Sequence, residues 1–475
     1  MNQLKKGLAI SLAAVMATAS MGACSHNSGA ASSKAQSASA QTTSSAKSQY
    51  AGSTVYYLNF KPEVADVYKE IAQAYESETG VKLKVVTAAS GTYEQTCRSE
   101  LAKSEAPTIF QINGPVGYHN FKDYCADMKD SDLYKHLKDK SLAVTSGDGV
   151  YGIPNCVEGY GIIYNNAVMK KYFALSGKDK AVTVTSADQI KNFATLKAVV
   201  EDMTKHKDEL GIKGVFSSTS FSNGEDWRWQ THLLNMPMYY EWKDANSTQN
   251  PAVTGYAQKE ISFKYGDNYK NIFDLYLNNS VTAKTLLGSK SVDDSMAEFA
   301  TGKSAMVQNG EWAWAQIAKV NGNKVQKDDI KFMPIYTGVS GEEKQGICYG
   351  TENFLAINKQ ADEKLQKASL EYLNWLYFGN GKKYVYSSDK LGLVAPFDNY
   401  TSSELPDDPL TQQISTWMNN KDVTMVNWCF QCFPSQDFKN AVGASLLKYS
   451  QGKEDWNGVK SDVIKSWKTE KAKLG

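Results

Sequence analysis

Histidine is scarce, with only five in 475 residues, and charge of either sign is not in excess, since 52 Lys and Arg stand against 51 Asp and Glu. A balanced surface offers no electrostatic footprint for nucleic acid. His26, His119, His136, His206 and His232 are scattered, which argues against a histidine triad or a histidine metal cluster. The chain also lacks G-x-S-x-G, H-E-x-x-H, a P-loop and a dinucleotide fingerprint, so no cofactor, metal or catalytic residue is expected. Beyond a short stretch near the N-terminus, no segment is apolar for long enough to cross a bilayer. A disulfide scaffold is absent as well: Cys97, Cys125, Cys156, Cys348, Cys429 and Cys432 are spread over a large chain and read as small buried hydrophobes. Cys429-Phe430-Gln431-Cys432 could be a redox motif, half a zinc site or a tight disulfide. It has no second CxxC or histidine pair to complete a zinc site, and its flanks Trp428 and Phe433 favour simple packing.

Aromatic residues, by contrast, are plentiful: Trp 10, Tyr 27 and Phe 17 make up 11% of the chain. Part of this is ordinary core, but flat rings also suit the C–H face of a pyranose. The N-terminus carries the parts of an export signal, with Lys5 and Lys6 before a largely apolar run from Gly7 to Ala19 and small residues ahead of Cys24. Met21-Gly22-Ala23-Cys24 resembles the lipobox of bacterial lipoproteins, which implies a cysteine that becomes the N-terminus and carries acyl chains. At about 0.8 kcal/mol per buried methylene, two or more chains hold a protein on a bilayer where one does not. Ser25 to Gln49 is built of Ser, Ala, Gln, Thr, Gly, Lys and Asn, and cannot offset its own ordering entropy. The expectation is a signal peptide over 1–23, a flexible tether over 24–49 and folded protein from about Tyr50.

From there the pattern alternates. Thr54 to Phe60 is β-branched and aromatic, hence a strand. Pro62 to Glu78 places Val64, Val67, Ile71, Ala74 and Tyr75 on one helical face, with proline in the first turn and Gly80 as the stop. A second strand is expected over Val81 to Ala88, a second helix over Thr92 to Lys103 and a third strand over Thr108 to Ile112. Strands joined by helices pair in parallel, and ligands then bind beyond their carboxyl ends, where the loops from Asn59, Ala89 and Asn113 share one rim.

Farther along, Val150 to Pro154 followed by Val157-Glu158-Gly159-Tyr160-Gly161-Ile162-Ile163-Tyr164-Asn165 resembles the first hinge crossing of extracellular solute-binding proteins of the maltose-binding type. Phe299 to Trp312 resembles that family's F-x-x-G-K-x-A-M-x-x-x-G-x-W segment, and Gly350 to Ile357 its return crossing. The resemblance implies an α/β, two-lobed periplasmic-binding-protein fold of type II, each lobe a mostly parallel sheet flanked by helices, joined by a multi-strand hinge. Residues 50–157 with 352–399 would form the first lobe and 161–350 with 400–475 the second, with crossings at 158–160 and 350–353. Gly159 and Gly161 suit a hinge because glycine accepts backbone angles that other residues resist.

The same resemblance implies a monomeric binding protein that takes an oligosaccharide, malto-oligosaccharide first, and delivers it to ABC permease subunits. Its place would be the outer face of the bacterial cytoplasmic membrane, held by a lipid at Cys24 on a Gram-positive surface. By resemblance Trp312 stacks on sugar and Glu158 accepts from its hydroxyls. An indole face and an acceptor-only carboxylate fit those roles chemically. Further candidates are Asn59, Lys61, Tyr93, Asn113, Tyr118, Tyr160, Glu311, Glu352 and Trp428. In Asp226-Trp227-Arg228-Trp229 the tryptophans are i,i+2 and cannot share a helix face, so Trp227 is expected at the cleft and Trp229 inside. The chain departs from the maltose-type pattern at Gln111-Ile112-Asn113-Gly114, at Asn59-Phe60-Lys61-Pro62 and at Phe438, which puts the sugar's identity and length in question. An anchored glycosidase using two of Glu158, Glu311 and Glu352, or a peptide-capture or adhesion protein, are the alternatives.

Overall fold

The computed structural model describes residues 47–89 and 92–474. The signal segment, Cys24 and the Ser/Ala-rich stretch up to residue 46 lie outside the described residues. The strands, in chain order, are β1 (Thr54–Asn59), β2 (Lys82–Thr87), β3 (Ile109–Ile112), β4 (Val144–Ser146), β5 (Gly149–Pro154), β6 (Glu158–Asn165), β7 (Met306–Gly310), β8 (Ile330–Met333), β9 (Gln345–Gly350), β10 (Phe354–Ile357) and β11 (Thr424–Asn427). Three helices separate the first strands and shape the site: α1 (Ala65–Thr79), α2 (Tyr93–Leu101) and α3 (Gly114–Phe121).

Helix α1 buries Tyr68, Ile71 and Tyr75 along one stripe, and Gly80 stops it in the left-handed conformation at φ 73°. Its expected first turn is instead a separate 3-10 turn, Pro62–Val64, where proline holds the backbone tight after the loop from β1. The second helix is shorter than expected at both ends, running Tyr93–Leu101.

Two sheets result. The first has the order β2-β1-β3-β10-β5-β4, and the second has β11-β9-β6-β7 with β8 also paired to β6. β2 and β3 both run parallel to β1, so the loops after these strands share one rim. The remaining directions are more mixed than a mostly parallel arrangement: β10 is antiparallel to β3 and β5, and β6 is antiparallel to β7, β8 and β9. The reason is the crossing itself. The β5–β6 segment leaves the first sheet while the β9–β10 segment returns to it alongside, with Pro154 opposite Phe354, the Asn155 N–H donating to the Asn353 carbonyl at 2.9 Å, and Glu158 opposite Gly350. Neighbouring strands that cross in opposite senses must pair antiparallel.

Each sheet has its own apolar core. Tyr57, Tyr68 and Tyr372 anchor the first, while Tyr160, Trp229, Trp242 and Trp467 anchor the second. Neither Gly159 nor Gly161 adopts a positive φ, so in this state neither position draws on glycine's extra backbone freedom. A Cβ on Gly159 would lie 2.7 Å from Ile414 Cγ1, and one on Gly161 would lie 2.7 Å from the Met333 carbonyl. Both glycines are there so that neighbours can pack against the bare backbone of β6.

Candidate functional site

The rim of the first sheet meets the second sheet where the crossing strands pass, and most of the charged candidates converge there. Pairing of β6 with β7 sets Tyr160 opposite Gly310, which brings Glu158, Glu311 and Trp312 to one corner. The Gly159 N–H donates to Glu311 Oε2 at 2.8 Å, and the Glu311 N–H reaches back to the Gly159 carbonyl at 3.3 Å. Gly310 explains the Gly-x-Trp spacing: the Trp312 ring folds back over its backbone, in space that any side chain at 310 would fill.

Lys61, carried by the loop after β1, crosses to this corner. Its Nζ is ion-paired with Glu158 Oε1, both side chains being nearly buried, and lies 5.9 Å from the Trp312 ring centroid. Burial opposes the Lys61 charge, but Glu158 and then Glu63 outweigh it and hold the ammonium well above its usual range. Glu311 has no cation within ion-pair distance among the described residues, and burial together with the neighbouring Glu158 pushes its carboxyl well above the usual range. Glu352 is raised too, by burial and by Glu158, against the pull of Lys439 and Lys61. Among the described residues its one side-chain hydrogen bond comes from Asn113 Nδ2 at 3.1 Å.

An aromatic wall stands beside these carboxylates. Trp227 lies 5.9 Å from Trp312 and Tyr160 lies 6.1 Å from it, both tilted. Trp227 and Trp312 remain partly exposed, whereas Trp229 is buried and stacked on Phe221 at 4.9 Å and 14°. Arg228 lies over the Trp227 ring at 3.9 Å and donates from Nε to Asn309 Oδ1 at 3.1 Å, which fixes that ring from behind. Trp428 is buried deeper in the wall, against His232 and Phe430.

Three candidates are committed elsewhere. Asn59 is buried and spends its side chain on Lys61 and Thr87, shaping the loop that carries Lys61. The Tyr93 hydroxyl donates to the Leu58 carbonyl and accepts from the Gln111 N–H at 2.6 Å, which locks it under the rim. Tyr118 stacks on Tyr151 at 4.6 Å and 22°, toward the β4–β5 edge. Phe438 belongs to the core, edge-on to Trp467 at 5.5 Å. Cys429 and Cys432 are buried free thiols: Cys429 Sγ contacts Asn235 Oδ1 at 3.2 Å and Cys432 Sγ donates to the Cys429 carbonyl at 2.9 Å. Burial raises both thiols well above their usual range, so the CxxC is a packing element in this state.

Several residues at the junction were not singled out from sequence. Gln431 projects from the turn Phe430–Cys432 onto Gly114 at the start of α3, and its Nε2 donates to the Thr351 carbonyl at 2.7 Å. Gly114 has φ 61°, and a Cβ there would lie 2.5 Å from Gln431 Cβ. The lobes therefore touch at a position where no larger side chain fits. His232 is central to the aromatic wall, and it escaped because Arg228–Leu233 is a π-helical coil, which sets i and i+5 on one face and so Trp227 beside His232. Around the junction, Gln111 Nε2, Asn113 Oδ1, Tyr160 Oη, His232 Nε2, Thr351 Oγ1, Asn353 Oδ1, Trp428 Nε1 and Gln431 Oε1 are buried without a hydrogen-bond partner among the described residues. Such atoms are costly to bury without water or a ligand, and both cores hold others, among them Tyr57 Oη, Tyr372 Oη, Trp242 Nε1 and Trp456 Nε1. Two surface hollows, of about 410 and 340 Å³, include none of these residues; the first is lined by Tyr164, Lys327, Lys331 and Trp417, the second by Leu286, Lys290 and Glu298.

Known proteins share this architecture. The raffinose-bound protein RafE is 16% identical at a TM-score of 0.64, covering 88% of this chain and 99% of that one. A chitin oligosaccharide binding protein is 17% identical at 0.65, covering 88% and 98%. A sugar transporter from Bacillus licheniformis in complex with stachyose is 15% identical at 0.62, covering 88% and 100%. At such identity these likenesses speak to the fold, which is the two-lobed one of solute-binding proteins. No curated protein matches the sequence. The family model described as bacterial extracellular solute-binding protein matches residues 70–413, most of the folded chain. With the crossing strands, the paired lobes and this match together, the chain belongs to the bacterial extracellular solute-binding proteins.

Proposed function

We propose that this protein captures an extracellular oligosaccharide between its lobes and hands it to the permease of an ABC transporter, without chemical change. One observation carries the reading: partly exposed indoles, three carboxylates and a set of unpartnered buried polar atoms meet where the two sheets join. Sugars present C–H faces to aromatic rings and hydroxyls that both donate and accept, which is the chemistry those groups lack partners for. Trp312 and Trp227 would take the sugar faces, Glu158, Glu311 and Glu352 its hydroxyl donors, and Lys61, Asn113, Tyr160 and Trp428 further polar contacts. The raffinose, chitin oligosaccharide and stachyose of the structural neighbours favour oligosaccharide as a class. Malto-oligosaccharide is the first candidate.

The lobes are assigned as 50–157 with 352–399 and 161–350 with 400–475, hinged at 158–160 and 350–353. Closure is favoured because only the closed form touches the ligand from both sides. A lipid on Cys24 would hold a monomer at the outer face of the membrane. Isothermal calorimetry with maltotriose, raffinose, stachyose and chitotriose, followed by chromatography of the recovered sugar, tests the reading. Tight binding of at least one sugar with no product supports it. Hydrolysis would make the protein a glycosidase, and binding of peptides alone would make it a peptide receptor. Separately, Cys24→Ala should shift the protein from the membrane to the soluble fraction.

A further inference from the structure

His232 is 3% exposed and lies among five aromatic rings: Tyr160 and Phe430 at 4.5 Å, Trp227 at 4.8 Å, Trp428 at 5.0 Å and Trp312 at 6.0 Å. Its Nδ1 is 2.9 Å from Thr231 Oγ1. The Thr231 hydroxyl has one proton, which it donates to the Trp227 carbonyl. Toward His232, that oxygen can therefore only accept, so Nδ1 carries the imidazole proton and Nε2 presents a bare lone pair. Burial, then Arg228, Lys439 and Lys61, hold the ring well below its usual pKa, so it is neutral. Nε2 has no partner among the described residues. The Trp428 Nε1–H and the Tyr160 hydroxyl, on two of the five rings around it, have no partner among the described residues either. Nε2 therefore lacks a group that gives it a proton, and the Trp428 N–H and Tyr160 hydroxyl each lack one that takes theirs. Water aside, a ligand hydroxyl is the simple chemical group that does both.

Building on the sugar-binding reading, we propose that His232 is a specificity-determining residue that reads one unsubstituted ligand hydroxyl through Nε2. A sugar alkylated, acylated or deoxygenated at that carbon cannot supply the proton and leaves Nε2 unpaired. The residue acts on which sugar is chosen rather than on closure.

The test combines nitrogen NMR with calorimetry on the folded chain. In the ligand-free protein at neutral pH, ¹⁵N spectra should show His232, identified by its loss in the variants, as the neutral Nδ1–H tautomer. An Nε2–H tautomer or an imidazolium overturns the assignment. On titration with the tightest binder among maltotriose, raffinose, stachyose and chitotriose, the Nε2 resonance should move. His232→Asn keeps a donor near the Nδ1 position and should weaken binding roughly tenfold, as expected for a lost hydrogen bond that leaves its partner unpaired. His232→Gln, whose amide oxygen reaches the Nε2 position, should recover most of the affinity. Matching thermal melts would establish that both variants are folded. Sugar binding with an unmoved Nε2 and equal affinities overturns this proposal alone, whereas no binding of any sugar overturns it together with the sugar-binding reading.

Discussion

Lys61 is the residue on which the charge balance of the junction turns. Its ion pair with Glu158 is nearly sheltered from water, so removing one partner strands the other. Lys61→Met should destabilise the protein by about 3–5 kcal/mol at neutral pH, measured by urea unfolding. Because the folded-state pKa of Lys61 is raised, its stabilisation is full below the ordinary lysine value and disappears as pH rises through the folded value. Glu311 behaves the opposite way. Its folded-state pKa is raised by burial and by Glu158, so the native state holds the proton longer than the unfolded chain. Stability then falls as pH rises above the ordinary carboxyl value, and Glu311→Gln should raise the melting temperature at pH 7.5 while changing little near pH 4. An unchanged melting temperature at both pH values would mean that Glu311 is solvated. Trp312→Ala should weaken sugar binding by about 1 kcal/mol or more in calorimetry, in the range of an aromatic contact. That Trp312, Glu158 and Glu311 meet at one corner was legible because the Phe299 to Trp312 and Val157 to Asn165 segments keep their spacing. The intramolecular partners of Asn59, Tyr93 and Tyr118 were not legible, because a polar residue after a strand looks the same whether it faces a ligand or ties down its own loop.

At the scale of elements, the strand–helix alternation over 54–112 could be read directly, since apolar spacing reports which face is buried. The antiparallel directions around β10 and β6 could not, because they follow from a return crossing some two hundred residues downstream. The π-helical coil hid His232 for a related reason: its register exists only once Arg228–Leu233 is packed. Helix α3 tests how the lobes meet. Gly114 adopts a left-handed backbone and abuts Gln431, so Gly114→Val combines conformational strain with a clash across the junction. This variant should favour the open form and show a larger radius of gyration in solution scattering than wild type. A restored radius in Gly114→Val with Gln431→Gly would identify the Gln431 contact as the obstacle.

For the whole molecule, two sheets with separate cores are linked by paired crossing strands, the arrangement on which the proposed closure relies. The junction gathers charge, aromatic faces and unpaired polar atoms in one place. Where a sugar binds is therefore the decisive property of the molecule. A crystal structure grown with the tightest-binding saccharide is its most direct test. It should show a pyranose ring against Trp312, with Glu158 within hydrogen-bond distance and both lobes in contact with the ligand. A saccharide bound elsewhere, for instance in the hollow beside Trp417, with the junction closed on its own side chains, would contradict it.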